Sequence, residues 1–298
     1  MKVYISVDME GIAGVSHPDP TGRGDRDYPA AVELMVGEAN AAVAGAFDAG
    51  AAEVVVNDSH GGMFNLTPER MHAGARLVQG QKPYSMVEAA ATAGFGVALF
   101  VGYHARAGHP RGTIAHTYSG APTLTTLDGR PVGEYGINGV YLGALGVPIG
   151  MVTGDDALAE EVADWLPGAE RVVVKRAVSG HAADAMHPSK AREQVEAGAR
   201  RAVERAIAGD PGIAPLVLPP PIRVGIDFGR AAQADYVAVM PGMRREGDRG
   251  VVYEAEDGIE AFRAFVCAVR LAGLVGGCGL VGPGAPIIGA TTIAAETP

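Results

Sequence analysis

The sequence predicts an α/β fold: a mostly parallel sheet sandwiched by helices in an α/β/α arrangement, with a smaller C-terminal α+β part. Two observations predict it. Short apolar runs at 3–7, 53–57, 97–103 and 148–153 alternate with segments of helical apolar spacing, which is the rhythm of βαβ units. The chain has 298 residues, of which 48% are hydrophobic and 19% charged, enough apolar mass for a substantial buried core.

The elements follow in order. Residues 3–7 form the first strand, and the Gly- and Pro-rich stretch 11–28 after it is a long loop of the kind that often walls a site. Val32, Met35, Val36, Ala39, Val43 and Phe47 repeat at helical spacing over 29–48, with Pro29 suited to the first turn and Gly50 to the stop. A strand at 53–57 runs into the turn-rich segment Asn57-Asp58-Ser59-His60-Gly61-Gly62. Residues 83–93 read as helix, 97–103 as strand and 105–113 as loop. Asp128-Gly129 predicts a hairpin between 123–127 and 130–132. A helix over 133–145 precedes the strand 148–153, which ends in Gly154-Asp155-Asp156 and a helix to Trp165.

Beyond Pro167 come a strand at 171–174, a helix at 188–208 and a Pro-rich connector at 211–221. Strands at 222–228, 235–240 and 251–255 and a helix at 257–275 complete this region. The organisation expected is a first domain over 1–167, a smaller α+β part over 168–275 and a flexible tail over 276–298. The region after residue 167 reads either as a separate unit or as an extension of the same sheet.

Composition narrows the function. A net charge of −10 without a basic stripe argues against nucleic-acid binding. Two cysteines, Cys267 and Cys278, make no disulfide framework and suit a reducing compartment. No signal-peptide pattern opens the sequence, and no apolar run reaches about 18 residues without polar interruption, so a cytoplasmic protein off the membrane is expected. H-E-x-x-H, G-x-S-x-G and Walker A patterns are absent. A G-x-G-x-x-G match at Gly277, Gly279 and Gly282 lies after a helix with no βαβ unit behind it, and is discounted.

The chemistry gathers at strand ends. Asp8, His60 and His104 each follow an apolar run. Parallel strands would align all three along one edge of the sheet, where open α/β folds place their sites. Glu10 lies two residues beyond Asp8, on the same side of an extended chain. Glu134 opens a helix, where it is either a ligand, a base or a partner of the helix dipole. Carboxylates and imidazoles together form a shell for zinc or a similar divalent ion. His116 stands apart from these in the chain and suits proton transfer or stabilisation of an oxyanion. Asp58, Asp155 and Asp156 are placed to orient a ligand imidazole, and Asp155 or Asp156 equally to cap a helix.

Ser6-Val7-Asp8-Met9-Glu10-Gly11, Val56-Asn57-Asp58-Ser59-His60, Phe100-Val101-Gly102-Tyr103-His104-Ala105, Pro131-Val132-Gly133-Glu134 and Gly154-Asp155-Asp156 resemble, in this order, the D-aminopeptidase DppA family, the M55 metallopeptidases. The resemblance spans roughly residues 1 to 275. It implies a zinc-dependent aminopeptidase with two Zn²⁺ per subunit, acting on short peptides with an N-terminal D-residue such as D-Ala-D-Ala, and assembled as a ring-shaped homodecamer. By the same resemblance Asp8 bridges the ions, Glu10 and Glu134 complete one shell, His60 and His104 complete the other, and His116 is catalytic. The same donors also serve a dinuclear phosphoesterase or another amidase, or a non-catalytic metal-stabilised peptide-binding protein.

Overall fold

The computed structural model describes residues 1–88, 90 and 94–275. Seven strands form the larger sheet: β1 (Lys2–Val7), β2 (Glu53–Asp58), β3 (Ala75–Val78), β4 (Val97–Val101), β7 (Ile149–Asp155), β8 (Glu170–Ser179) and β9 (Ala182–Ala185). Their order is β3-β2-β1-β4-β7-β8-β9, parallel throughout except for the terminal β8–β9 pair. The predicted α/β class is therefore the observed one. A second, antiparallel sheet combines β5 (Pro122–Leu127), β6 (Arg130–Pro131), β10 (Ile222–Phe228), β11 (Arg244–Glu246) and β12 (Gly250–Ala255) in the order β11-β12-β10-β5-β6.

Alternation along the central strands divides the larger sheet into two apolar faces. Val3, Ile5 and Val7 point to one side, with Val54, Val56, Leu99 and Val101. That side is covered by α1 (Tyr28–Asp48) and α4 (Pro188–Ile207), which cross each other closely. Tyr4, Val55, Ala98 and Phe100 point to the other side. There α2 (Glu134–Ala144), α3 (Asp156–Trp165) and α6 (Gly258–Gly273) join the inner face of the second sheet in one core. Burial on both faces explains why these strands read as continuous apolar runs. It also explains α1, whose most apolar 18-residue window has the mean hydropathy of a membrane span (1.2) yet is 61% buried inside the protein.

Several predicted elements shift. Residues 235–240 are not a strand: α5 (Ala231–Val237) occupies the position. Ala234 and Val237, three apart, are buried, whereas Val239 is 77% exposed, so the spacing is helical, and Gln233 Oε1 accepts the Arg230 amide at its start. The helix expected over 83–93 is a single 3₁₀ turn, Ser85–Val87, as far as the described residues go. Its backbone serves other groups: the Met86 carbonyl accepts from Tyr4 Oη, Ser6 Oγ and Asn57 Nδ2. Sheet membership crosses residue 167 in both directions. β8 and β9 lie in the first sheet, and β5 and β6 lie in the second. The tail 276–298 and the glycine-rich match within it lie outside the described residues. The hairpin forms as read, with positive φ at both Asp128 (51°) and Gly129 (76°).

Two features of this frame make predictions. Gly11 packs backbone to backbone against the segment after β4, and a Cβ there would stand 1.9 Å from the Tyr103 carbonyl oxygen. Gly61 has φ +51° but open space around it. Gly61→Ala should cost roughly 1–2 kcal/mol, the strain of a left-handed residue. Gly11→Ala must push its loop away from the segment after β4 and should cost about 3 kcal/mol or more. Thermal unfolding of the two variants side by side checks the order. Glu38, buried in α1, has its carboxyl pushed up to about 7 by burial, against the Ala13 amide bond and Lys175 that favour ionisation. The folded state then holds a proton that the unfolded chain releases near pH 4.5, so this group's contribution to stability falls as pH rises from there through 7. Glu38→Gln should gain on the wild type by up to about 1.4 kcal/mol per pH unit in that window and hold a constant advantage above it. Unfolding curves from pH 5 to 8 measure this, and a gap that ignores pH would refute it.

Candidate metal centre

β2, β1 and β4 are adjacent and parallel, with Val7 opposite Asp58 on one side and Val101 on the other. Their carboxyl ends therefore lie level. The ladder continues past the strands: the Asp8 amide donates to Val101 O (2.8 Å) and the Ser59 amide to Val7 O (2.8 Å). Asp8, His60 and His104 thus project from one edge, as the topology predicts. Glu10 follows in the loop behind Asp8, and Glu134 arrives as the first residue of α2.

All five expected ligands meet there, each buried. Asp8 is central. Its Oδ1 is 3.2 Å from His60 Nδ1, and its Oδ2 is 3.5 Å from His104 Nε2. Glu10 Oε2 lies 2.9 Å from His60 Nδ1, and Glu134 Oε1 lies 3.3 Å from His104 Nε2. Each side of Asp8 therefore holds one imidazole and one carboxylate. Donor atoms of Asp8, Glu10 and His104, and of His104, His116 and Glu134, fall within 4.8 Å of one another.

Backbone carbonyls orient the rings. His60 Nε2 donates to Thr21 O (2.9 Å), His104 Nδ1 to Ala105 O (3.0 Å) and His116 Nδ1 to Ile114 O (2.8 Å). A carbonyl only accepts, so the nitrogen bonded to it carries hydrogen, and in the neutral tautomer the opposite nitrogen presents its lone pair to the cluster. His104 Nε2 is buried and has no hydrogen-bond partner, an atom left for a cation. His116 stacks on His104 with ring centroids 4.0 Å apart, and its Nε2 is 3.8 Å from Glu134 Oε1. Ile114 (φ +53°) and Tyr118 (φ +62°) hold strained left-handed backbone on either side of His116. Three bonds anchor this loop: Thr113 N to Asp155 Oδ2, Ile114 N to Gly180 O, and Tyr118 N to Glu134 Oε1.

Electrostatics match a cation site. Burial alone would lower the pKa of His60, but Glu10 and Asp8 drive it well above the ordinary imidazole range. Burial opposes the charge of His104 in the same way and is outweighed by Glu134 and Asp8. Asp8 is held well below the usual carboxylate range, its burial overcome by the His104 and His60 imidazoles beside it. The cluster thus demands positive charge among its oxygens, which protons or a divalent ion supply. Neutral imidazoles with fixed tautomers and three carboxylates form an N/O donor set suited to zinc.

The strand-end acids resolve differently. Asp155 caps α3 by accepting the Leu158 amide (2.8 Å) and also holds the His116 loop. Asp156 accepts the Ala177 amide (2.8 Å). Asp58 accepts the amides of Asn65 and Leu66 and orders the turn after His60 without touching the ring. Sequence reasoning misses the orienting carbonyls, because main-chain groups leave no trace in residue identity. It also misses Lys175, a fully buried lysine whose place in a strand resembles an ordinary surface position.

Comparison with known proteins gives the family. The family profile described as D-aminopeptidase, peptidase family M55, matches residues 1–267. The D-aminopeptidase of Bacillus subtilis (strain 168) is 37% identical over 277 residues, covering 91% of this chain and 98% of its own. A solved structure described as the Zn-dependent D-aminopeptidase DppA from Bacillus subtilis, a self-compartmentalizing protease, superposes with a TM-score of 0.85 at 36% identity, over 91% of this chain and 98% of that one. With its strand-end carboxylates and imidazoles in one buried cluster, the chain belongs to the M55 D-aminopeptidase family and is a hydrolase of the metallo-aminopeptidase class.

Proposed function

We propose that this enzyme removes N-terminal D-residues from short peptides of the D-Ala-D-Ala type, using two Zn²⁺ per subunit. The observation that carries this reading is the disposition of Asp8, whose two oxygens face two imidazoles, His60 and His104, with Glu10 and Glu134 close by. Asp8, Glu10, His60, His104 and Glu134 would hold the two ions between them. Zinc bound there supplies a nucleophilic water at neutral pH and polarises the scissile carbonyl.

The rest of the chemistry belongs to the chain. His116 keeps its Nδ1 hydrogen on Ile114 O, so only Nε2 is free to take a proton or to deliver one to the departing amine. Stacking on His104 fixes the ring plane, and the anchored loop fixes its height over the cluster. Protonated at Nε2, His116 also offers a hydrogen bond to a developing oxyanion. The carboxylates nearly balance the ions' charge and keep a substrate's own α-amine attractive to the site.

The homologous structure is described as self-compartmentalizing. For this chain we extend that to a ring-shaped homodecamer in the cytoplasm. Exposed apolar residues such as Val178 (71%) and Val239 (77%) supply surface for such contacts.

Metal analysis paired with peptide assays tests the reading. The wild type should hold close to two zincs per subunit and release D-Ala from D-Ala-D-Ala in preference to L-Ala from L-Ala-L-Ala. Asp8→Ala and His60→Ala should lose metal and activity together. His116→Ala should keep its metal while kcat falls by about 10²–10⁴, the range of a general acid–base group. An unchanged kcat removes His116 from the mechanism. Cleavage of phosphoesters in place of either peptide would replace the peptidase reading with a phosphoesterase one.

A further inference from the structure

Lys175 lies on β8, 2% exposed. Its ammonium donates to three main-chain carbonyls, those of Glu10, Ile12 (3.3 Å) and Val15. An ammonium has three N–H donors, so this group is saturated by one short loop. That loop starts at Glu10, 165 residues away in the sequence. Its amides are held as well: Gly11 N donates to Gly102 O (2.8 Å) and Ala13 N to Glu38 Oε1 (2.8 Å). No carboxylate lies within ion-pair distance of Lys175 Nζ among the described residues. A buried ammonium without such a partner is costly unless its hydrogen bonds are complete. Here they are complete, and all are directed at the segment that carries Glu10.

We propose that Lys175 is a positioning residue for the metal centre, clamping the carbonyls of residues 10, 12 and 15 so that the Glu10 carboxylate is held against His60. This rests on the reading of Glu10 as a metal ligand. The geometry is specific. Asp8 is fixed by the strand ladder and His104 by its own loop, whereas Glu10 stands beyond the end of β1 with no ladder bond of its own. Without the clamp, carbonyls 10, 12 and 15 lose their common donor, and the side chain at position 10 loses its fixed origin. The cation beside the cluster also interacts favourably with the Glu10 and Asp8 carboxylates. Residues that orient ligands typically contribute about 10–100-fold to metal affinity.

The test uses full-length protein stripped with chelator: wild type, Lys175→Met, Lys175→Gln and, as a control for plain destabilisation, Val203→Ala in the same core but away from the loop. Zinc affinity is read by competition with a chromophoric chelator, the ligand field by the visible spectrum of the Co²⁺-loaded proteins, and Tm by calorimetry. Lys175→Met should weaken zinc binding about tenfold or more and change the Co²⁺ spectrum. Lys175→Gln, which keeps two donors, should fall between it and the wild type, and this variant carries the test where the methionine protein does not fold. Val203→Ala should lower Tm and leave zinc affinity and spectrum alone. Zinc affinity within about twofold of wild type in the folded Lys175 variants, whatever their Tm, overturns the proposal, since an orienting residue should exceed that. A wild type that binds no zinc overturns instead the assignment of Glu10 as a ligand, and the positioning role with it.

Discussion

Burying Asp8, Glu10 and Glu134 in one cluster is tolerable only where positive charge sits between them. Most of the molecule's less ordinary features answer that constraint. Two imidazoles stand between the oxygens, and the acids drive both toward the charged form. A third imidazole stacks behind, and an ammonium lies one loop away. The parallel sheet supplies the rest: three adjacent strands end level, so their first loop residues have no choice but to meet.

Precision comes from the main chain. Each ring is held by a carbonyl at its far nitrogen, and these carbonyls sit in two loops, one after β1 and one after β4. The loops are themselves secured by buried side chains: Lys175 and Glu38 hold the first, Asp58 the turn after His60, and Asp155 and Glu134 the segment around His116. The buried ionisable residues around the site therefore face the cluster, fix its scaffold or, like Glu134, do both. The second group shields its charge in hydrogen bonds to peptide groups.

How much of this the sequence reveals depends on which force sets each element. Central strands and their terminal Asp8, His60 and His104 are legible because burial on both faces leaves an uninterrupted apolar run. α5 reads wrongly as strand because Val237 and Val239 alternate like one, while the buried pair is Ala234 and Val237. β11 escapes notice because Arg244–Glu246 is wholly exposed and its pairing is set by β12 alone. The 83–93 segment has helical composition, yet the Met86 carbonyl is taken by buried hydroxyl and amide groups arriving from β1 and β2. Lys175 and the orienting carbonyls are illegible for one reason: their partners lie far off in sequence, or are backbone, and no local pattern encodes them.

Placing β10 between β5 and β12 ties residues about a hundred positions apart into one ladder. The consequence concerns the order in which a ribosome delivers the chain. A nascent polypeptide that has emerged to residue 185 already carries all seven strands of the large sheet, with Asp8, Glu10, His60 and His104 at its edge. It also carries Glu134, but α2 then lacks α6, and β5 and β6 lack β10. The last carboxylate of the cluster therefore gains its full support only when synthesis has passed residue 273. Until then Glu134 sits on a helix whose packing partner, α6, has not been made.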